Sequence, residues 1–191
     1  NSMSDLFHED VPDEFINQMF GVMALCPQHV FQILTKRPSR MLAWFKRERS
    51  RAAVVECIAE LYVGRPQVAA RWLFDEARAV SVGKQAWPLP HVHLGVSAED
   101  QNTFDERIEV LGRVPASVRF VSLEPLLGDI DVGNALDDAG PDATYGPIHW
   151  GIVGGESGHC HRPMEIEHAR SLIRQFQAWG KPIFVKQDSG P

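Results

Sequence analysis

Cysteine is scarce in this chain of 191 residues, and no long apolar run is present. The three cysteines, Cys26, Cys57 and Cys160, are widely spaced, odd in number and never arranged as C-x-x-C. This pattern excludes a disulfide framework and suits a reducing compartment. No segment is long and apolar enough to cross a bilayer, and the N-terminus lacks the basic-then-apolar pattern of a signal peptide. The sequence therefore predicts a cytoplasmic protein without a membrane partner.

Several nucleotide- and metal-binding motifs are also missing. No G-x-G-x-x-G follows a strand-like segment and no Gly-Lys-Ser/Thr follows a glycine-rich turn, which excludes the Rossmann fingerprint and the Walker loop. The acidic stretch from 128 to 147 fails the calcium-loop template, and we expect it to be solvated. A net charge of -6 argues against extensive non-specific binding to phosphate backbones. The basic run from Lys46 to Arg51 is interpreted as a solvated helix end, and a local basic site stays open.

Five apolar, β-like segments recur along the chain, and each ends in a polar cluster. The clusters are Thr35–Pro38, Gly95–Glu99, Ser122–Pro125, Gly154–Ser157 and Lys186–Gln187. Helical patterns separate most of the segments and no hairpin signal occurs, so the sequence predicts an α/β fold with a parallel sheet. A partial or incomplete TIM-type barrel fits better than an open Rossmann sheet, because polar ends recur after every strand. Length and composition predict one domain over 1–191, with a helical insertion near 50–83.

Three glutamates and two lysines at these strand ends are the main candidates for chemistry. The carboxyl ends of parallel strands meet at one edge of the sheet, where ligands bind. We expect Glu99, Glu124 and Glu156 to point into a shared mouth, where carboxylates can transfer protons, bind a metal or accept hydrogen bonds from a ligand. Lys36 and Lys186 could hold an anion or take part in proton transfer. The alternative for all five is structural, as helix caps or salt bridges.

Glycine and histidine motifs give weaker signals. The turn Gly154–Gly158 could cradle an anion or admit an adenosine through its backbone N–H groups, and a plain tight turn is the alternative. His91 and His93 form H-x-H at the start of their strand, away from the predicted site, and are interpreted as structural. The tract from His159 to His161 lacks the paired spacing of a zinc site. The sequence therefore predicts no metal site within this chain.

Several motifs together resemble a phage-associated protein family of unknown function, whose members look like radical S-adenosylmethionine proteins. The motifs are NSMSDLFH at 1–8, LTKRP at 34–38, GVS at 95–97, RFVSLEPLLG at 119–128 and GGESG at 154–158, followed by Arg162-Pro163. The resemblance covers nearly the whole chain and implies a cysteine triad for a [4Fe-4S] cluster, ahead of residue 1. This chain has no such triad. We therefore expect a truncated form that lacks the N-terminal β/α unit or units and does not assemble the cluster.

The resemblance also assigns residues to a pocket for S-adenosylmethionine. It implies that Asn1, Ser4 and Asp5 contact the methionine moiety and that Ser97 and Glu99 hold the ribose hydroxyls. It completes the mouth with Thr35, Lys36, Arg37, Ser122, Glu124, Glu156 and Ser157. These residues would position cofactor and substrate around the reacting atoms.

The C-terminal edge of this pocket departs from the family pattern. Lys186-Gln187 matches the family, but Asp188-Ser189 stands where an aromatic residue and a glycine are usual. Arg162, which follows the glycine-rich turn, could bind an anionic group. The departure puts the shape of this edge in question.

Three functions stay open at this point. The intact protein would be a radical S-adenosylmethionine enzyme that modifies an unknown substrate, nucleic acid being one candidate. A ligand-binding barrel domain without catalysis is the second hypothesis, and the missing triad favours it for this chain. The third is a carboxylate–metal hydrolase. The candidate catalytic residues are Lys36, Glu124, Glu156 and Lys186, with Glu99 added in the hydrolase. The oligomeric state is left open.

Overall fold

Strands and helices alternate along the chain, as the sequence predicts. The computed structural model describes residues 4–47, 50–61, 87–138 and 146–190. The strands are β1 (Phe31–Thr35), β2 (Val92–Ser97), β3 (Val118–Leu123), β4 (Trp150–Gly154) and β5 (Ile183–Gln187). The helices are α1 (Asp13–Leu25), α2 (Pro38–Lys46), α3 (Ser50–Leu61), α4 (Gln101–Gly112) and α5 (Ile166–Ala178), and a 3-10 turn covers Gly133–Leu136.

The five strands form one parallel sheet in the order β1-β2-β3-β4-β5. One row of register partners crosses the whole sheet and consists of Thr35, Val96, Val121, Gly151 and Ile183. Strands that follow one another in the chain are therefore neighbours in the sheet, and their carboxyl ends lie along one edge in chain order. The expectation of an α/β fold with a parallel sheet is confirmed.

The hydrophobic core lies between the helices and one face of the sheet. Val96, Val121 and Val153 on this face are fully buried. Phe176 of α5 packs onto Gly151, where an added Cβ would lie 2.6 Å from the ring. Glycine at 151 therefore allows α5 to approach the sheet, and burying a phenylalanine side chain contributes about 1.5–3 kcal/mol.

Aromatic side chains pack on the opposite face of the sheet. Phe120 is buried and stacks on Trp150, with ring centroids 4.5 Å apart. Gly95 on the neighbouring strand leaves room for Phe120, since a Cβ there would lie 2.5 Å from the ring. His93 meets Trp150 edge-on. This contact supports the structural interpretation of His93.

Side chains hold both ends of α4. Asp100 and Thr103 form a capping box, in which the Asp100 carboxylate accepts the Thr103 N–H at 2.8 Å and Thr103 Oγ1 accepts the Asp100 N–H at 3.2 Å. At the other end the half-buried Arg119 donates to the carbonyls of Leu111 and Val114, at 3.2 and 2.6 Å. Burial lowers the pKa of the Arg119 guanidinium. These contacts fix the segment between β2 and β3 that borders the candidate site.

The acidic stretch from 128 to 147 is not simply solvated, contrary to expectation. Asp129 and Asp131 are exposed, but Ile130 and Val132 are buried. Charged and apolar residues alternate here, so one side of the segment faces water while the other joins the core. Residues 139–145 lie outside the described part of the chain.

Only the first part of the expected helical insertion falls within the described residues. It is α3, whose Val54 and Ile58 are buried, whereas 62–86 lie outside them. No helix within the described ranges combines the length and the apolar character that a bilayer crossing requires.

Candidate functional site

Residues from all five strand ends line one cavity of about 470 Å³. The lining consists of Ser4, Asp5, Leu34, Thr35, Lys36, Arg37, Ser97, Ser122, Glu124, Pro125, Gly155, Glu156, Ser157, Lys186 and Gln187. The volume is in the range of about 300–1,000 Å³ that small-molecule sites occupy. The expected convergence of the polar clusters on one edge is therefore confirmed, and the chemical role of each residue stays a prediction.

Most of the predicted site residues that the structure describes are in this lining, and two of them are not. Glu99 lies outside it and reaches the cavity through its contact with Lys36. Arg162 also lies outside the lining and contacts Glu156. Asn1, expected beside Ser4, lies outside the described residues.

The Glu124 carboxylate contacts a hydroxyl and an ammonium group in the cavity wall. Its Oε2 accepts a hydrogen bond from Ser122 Oγ at 2.8 Å, and its Oε1 lies 3.1 Å from Lys186 Nζ. The Glu124 carbonyl accepts a longer bond from Ser97 Oγ at 3.3 Å. Gly154 leaves space for this carboxylate, since an added Cβ would lie 2.8 Å from Oε1. Glu124 therefore joins the ends of β3 and β5 through its carboxylate and the end of β2 through its carbonyl.

Asp5 ties the segment before α1 to the end of β1. Its carboxylate accepts hydrogen bonds from Thr35 Oγ1 at 2.6 Å, from the N–H groups of Phe7 and Lys36 at 2.9 and 3.1 Å, and from Arg37 Nη1 at 3.0 Å. Burial by itself would raise the pKa of Asp5, but these hydrogen bonds outweigh burial and hold it below its ordinary value. Asp5 is therefore engaged in the fold as well as lining the cavity.

Glu99 bridges Lys36 of the β1 end and Arg107 of α4. Lys36 Nζ contacts Glu99 Oε1, and Arg107 Nη1 lies 3.1 Å from Glu99 Oε2 and 2.6 Å from the Ser97 carbonyl. Arg107 was not among the site residues predicted from the sequence. The sequence feature that could have indicated Arg107 is its position two helical turns after the Gly95–Glu99 cluster. That feature does not distinguish a site residue, because charged residues are also common on solvent-exposed helix faces.

Glu156 and Arg162 form a three-point contact at the edge of the cavity. Glu156 Oε2 accepts from the Arg162 Nε and N–H at 2.7 and 2.8 Å, and Oε1 accepts from Nη2 at 3.0 Å. These hydrogen bonds lower the pKa of Glu156 to about 2. Arg162 was predicted to bind an anionic group, and in the structure that group is Glu156.

The glycine-rich turn after β4 uses its N–H groups inside the fold. Gly155 donates to the Gln187 carbonyl and Gly158 to the Gly190 carbonyl, both at 3.0 Å. A Cβ at Gly155 would lie 2.3 Å from Ser189 N, so the C-terminal segment passes directly over this glycine. The structure favours the tight-turn interpretation over an anion cradle.

The histidine and cysteine candidates do not form a site. His91 Nε2 lies 2.8 Å from the Met23 carbonyl, at the opposite end of β2 from the cavity. Cys26 follows α1, Cys57 belongs to α3 and Cys160 lies in the loop after β4. Among the residues that the structure describes, no group of three His, Cys, Asp or Glu side chains could hold a metal ion.

Comparison with known proteins gives one match. A family model described as "Protein of unknown function (DUF5131)" matches residues 1–190. No curated protein and no solved structure matches the chain. The expected resemblance is confirmed at the level of a family of unknown function, and the phage association and the radical S-adenosylmethionine relationship stay predictions.

Proposed function

For this chain, which belongs to that family of unknown function, we propose a ligand-binding function in which the cavity takes up S-adenosylmethionine. The sequence resemblance suggests this ligand. The observation that supports it is the convergence of hydroxyls and paired opposite charges on one cavity of suitable volume.

The chemistry of this ligand complements the side chains of the cavity. Glu124 can accept hydrogen bonds from the ammonium group of the methionine moiety, and Lys36 or Lys186 can donate to its carboxylate. The hydroxyls of Ser97 and Ser122 suit the ribose. Lys36 and Lys186 are about half exposed, whereas their partners Glu99 and Glu124 are mostly buried. A ligand that carries both an ammonium and a carboxylate group could replace these pairs with contacts of the same kind.

We further propose that the sheet belongs to a barrel or partial barrel. The sequential strand order supports this, because each parallel strand adds to the same side of the sheet as in (β/α) barrels. A doubly wound sheet would instead reverse its strand order. An experimental structure with a flat sheet and two open edges would contradict this proposal.

The described residues do not fit a [4Fe-4S] cluster. Such a cluster needs three cysteine thiolates close together, whereas Cys26, Cys57 and Cys160 lie on separate elements. Radical chemistry therefore needs cysteine ligands beyond the described residues, and modification of a nucleic acid or another substrate rests on the resemblance. The proposed binding could serve a radical enzyme or a binding domain without catalysis, and the positions of the three cysteines favour the binding domain.

The carboxylate–metal hydrolase has no support from the geometry. Each of its three carboxylates already contacts a cationic side chain: Glu99 contacts Lys36 and Arg107, Glu124 contacts Lys186, and Glu156 contacts Arg162. These contacts match the structural alternative for the glutamates.

Calorimetric titration of the purified chain tests the binding proposal. We expect saturable one-site binding of S-adenosylmethionine, and weaker binding of methionine or adenosine alone. Glu124→Gln should weaken binding about tenfold or more, since a hydrogen bond to a charged group contributes about 1.5–3 kcal/mol. The control Glu167→Gln, on the exposed side of α5, should bind like the unmodified chain. Absence of heat with all three ligands would contradict the proposal.

A second experiment separates the enzyme from the binding domain. The full-length protein is reconstituted anaerobically with iron and sulfide, reduced, and supplied with S-adenosylmethionine. A cluster absorption band together with 5′-deoxyadenosine indicates the enzyme. Binding without either signal supports the non-catalytic domain.

A further inference from the structure

A second, smaller cleft of about 260 Å³ lies next to the main cavity. The two cavities share Lys36 and Arg37, so the β1 end forms a common rim between them. The smaller cleft, here called the α2 cleft, is further lined by Ser39 and Arg40 at the start of α2 and by Arg107 of α4. Four of its lining side chains are therefore cationic.

Arg40 has hydrogen-bond donors without acceptors. Its Nη2 contacts the Val11 carbonyl and lies 3.4 Å from Asp13 Oδ1. Its Nη1 is buried and has no hydrogen-bond partner in the described part of the chain. A buried donor without a partner is costly, and it would be satisfied if the guanidinium, whose side chain is 25% exposed, turned toward an acceptor in the cleft.

Arg37 and Arg107 also use only part of their guanidinium groups. Arg37 donates to Asp5 through Nη1, and Arg107 donates to Glu99 and a carbonyl through Nη1. An arginine has five N–H donors in a planar fork. The cleft therefore brings together more donors than its own acceptors engage.

The backbone adds donors at the same place. Arg37 caps α2 without a side-chain hydrogen bond, Pro38 has no N–H, and the Met41 N–H is the first that bonds back into the helix, to the Arg37 carbonyl at 3.2 Å. The N–H groups of Ser39 and Arg40 therefore have no acceptor within the helix. They lie at the positive end of the helix dipole.

Carboxylates outnumber the four cations around the cleft, which limits the expected affinity. Asp5, Glu9, Asp13 and Glu99 each contact one or more of the cations, and the exposed Glu106 also lines the cleft. Net charge therefore does not attract an anion to this cleft. The surplus of donors instead favours a ligand with several oxygen acceptors over a simple halide ion.

We propose that the α2 cleft binds a phosphate group. The oxygens of a phosphate can accept hydrogen bonds from arginine forks and from N–H groups at a helix start together. A nucleotide monoester and the diester of a nucleic-acid strand present the same oxygens. Because Lys36 and Arg37 line both cavities, a phosphate bound in the α2 cleft would hold the rest of its molecule beside the main cavity. The proposal does not depend on S-adenosylmethionine as the ligand of the main cavity.

Amide NMR spectra recorded during three titrations test this proposal. The probes are inorganic phosphate, adenosine monophosphate and a short single-stranded oligonucleotide, each compared with sodium chloride at equal ionic strength. We expect saturable shifts of the amides of Lys36, Arg37 and residues 39–41 with phosphate and not with chloride. Tighter binding of the monophosphate indicates a free nucleotide, and tighter binding of the oligonucleotide indicates a strand. Shifts that match those of chloride would overturn the proposal.

Two variants and one control make the test specific. Ser39→Asp places a carboxylate in the first turn of α2, where it suits the helix dipole and therefore preserves the fold, but it competes with phosphate. We expect it to weaken phosphate binding at least about tenfold, and Arg40→Gln to weaken it about ten- to hundredfold. The control Arg170→Gln changes an exposed side chain of α5. Phosphate affinity of Ser39→Asp within twofold of the unmodified chain would overturn the assignment.

The same Ser39→Asp variant separates this proposal from the proposed function. Neither Ser39 nor Arg40 lines the main cavity. The S-adenosylmethionine titration should therefore give the same affinity with and without the substitution. If Ser39→Asp loses phosphate binding and keeps its affinity for S-adenosylmethionine, the α2 cleft is supported. The phosphate result has the same meaning whether or not the main cavity binds S-adenosylmethionine.

Discussion

Replacing Gly154 by alanine should disrupt the Glu124 contacts, although the change adds one methyl group. The added Cβ would lie 2.8 Å from Glu124 Oε1 and 3.4 Å from the Gln187 carbonyl oxygen. The backbone contact is tight but tolerable, whereas the carboxylate must move. Its displacement weakens the bond from Ser122, at 2.8 Å, and the contact with Lys186, at 3.1 Å.

The size of the effect follows from the burial of the two partners. Ser122 is 1% exposed, so its hydroxyl would lose a buried charged acceptor, a loss of about 1–3 kcal/mol. The Lys186 side chain is 46% exposed, so its ion pair adds at most about 1 kcal/mol. We expect Gly154→Ala to lower the free energy of unfolding by about 1–3 kcal/mol, because the end of the flexible Glu124 side chain can move to relieve the contact.

Gly128→Ala is the matched control. An added Cβ at Gly128 has nothing within 4 Å, so the substitution should be neutral or stabilise the chain by up to about 1 kcal/mol. Urea denaturation followed by tryptophan fluorescence gives both values, and calorimetry shows whether ligand affinity falls only in Gly154→Ala. If both variants unfold within about 0.5 kcal/mol of each other, the packing argument for Gly154 is wrong.

Three further predictions concern the surroundings of the site. Arg119→Met should destabilise the fold by about 1–3 kcal/mol, because it leaves the buried carbonyl of Val114 without its donor. The control Arg113→Met, on the exposed end of α4, should change the free energy of unfolding by less than about 1 kcal/mol in the same denaturation assay. Asp100→Ala removes the capping box and should lower the thermal midpoint of unfolding, and an unchanged midpoint would refute this. Arg162→Gln should raise the pKa of Glu156 from about 2 toward its ordinary value of 4.5, which carboxyl NMR measures. In the unmodified chain the pair stabilises the fold above pH 4.5 and loses this effect as the pH falls toward 2, and the variant should lack this pH-dependent stabilisation.

Local patterns were sufficient for the layout of this protein. Apolar segments that end in polar clusters predicted five parallel strands, and helix signals such as Pro38 placed the elements between them. Because carboxyl ends of parallel strands share an edge, the same patterns predicted that Lys36, Glu124 and Glu156 meet. These predictions depend on residues close together in the chain, where period and turn chemistry act directly.

Tertiary structure alone decided which groups contact one another around the cavity. Asp5 accepts from Thr35, Glu99 joins Lys36 to Arg107, and partners of this kind lie up to 63 residues apart in the chain. Several cations could have served each carboxylate, and no local pattern selects among them. The selection depends on distances of a few tenths of an ångström, which arise only when sheet register and helix packing are both in place.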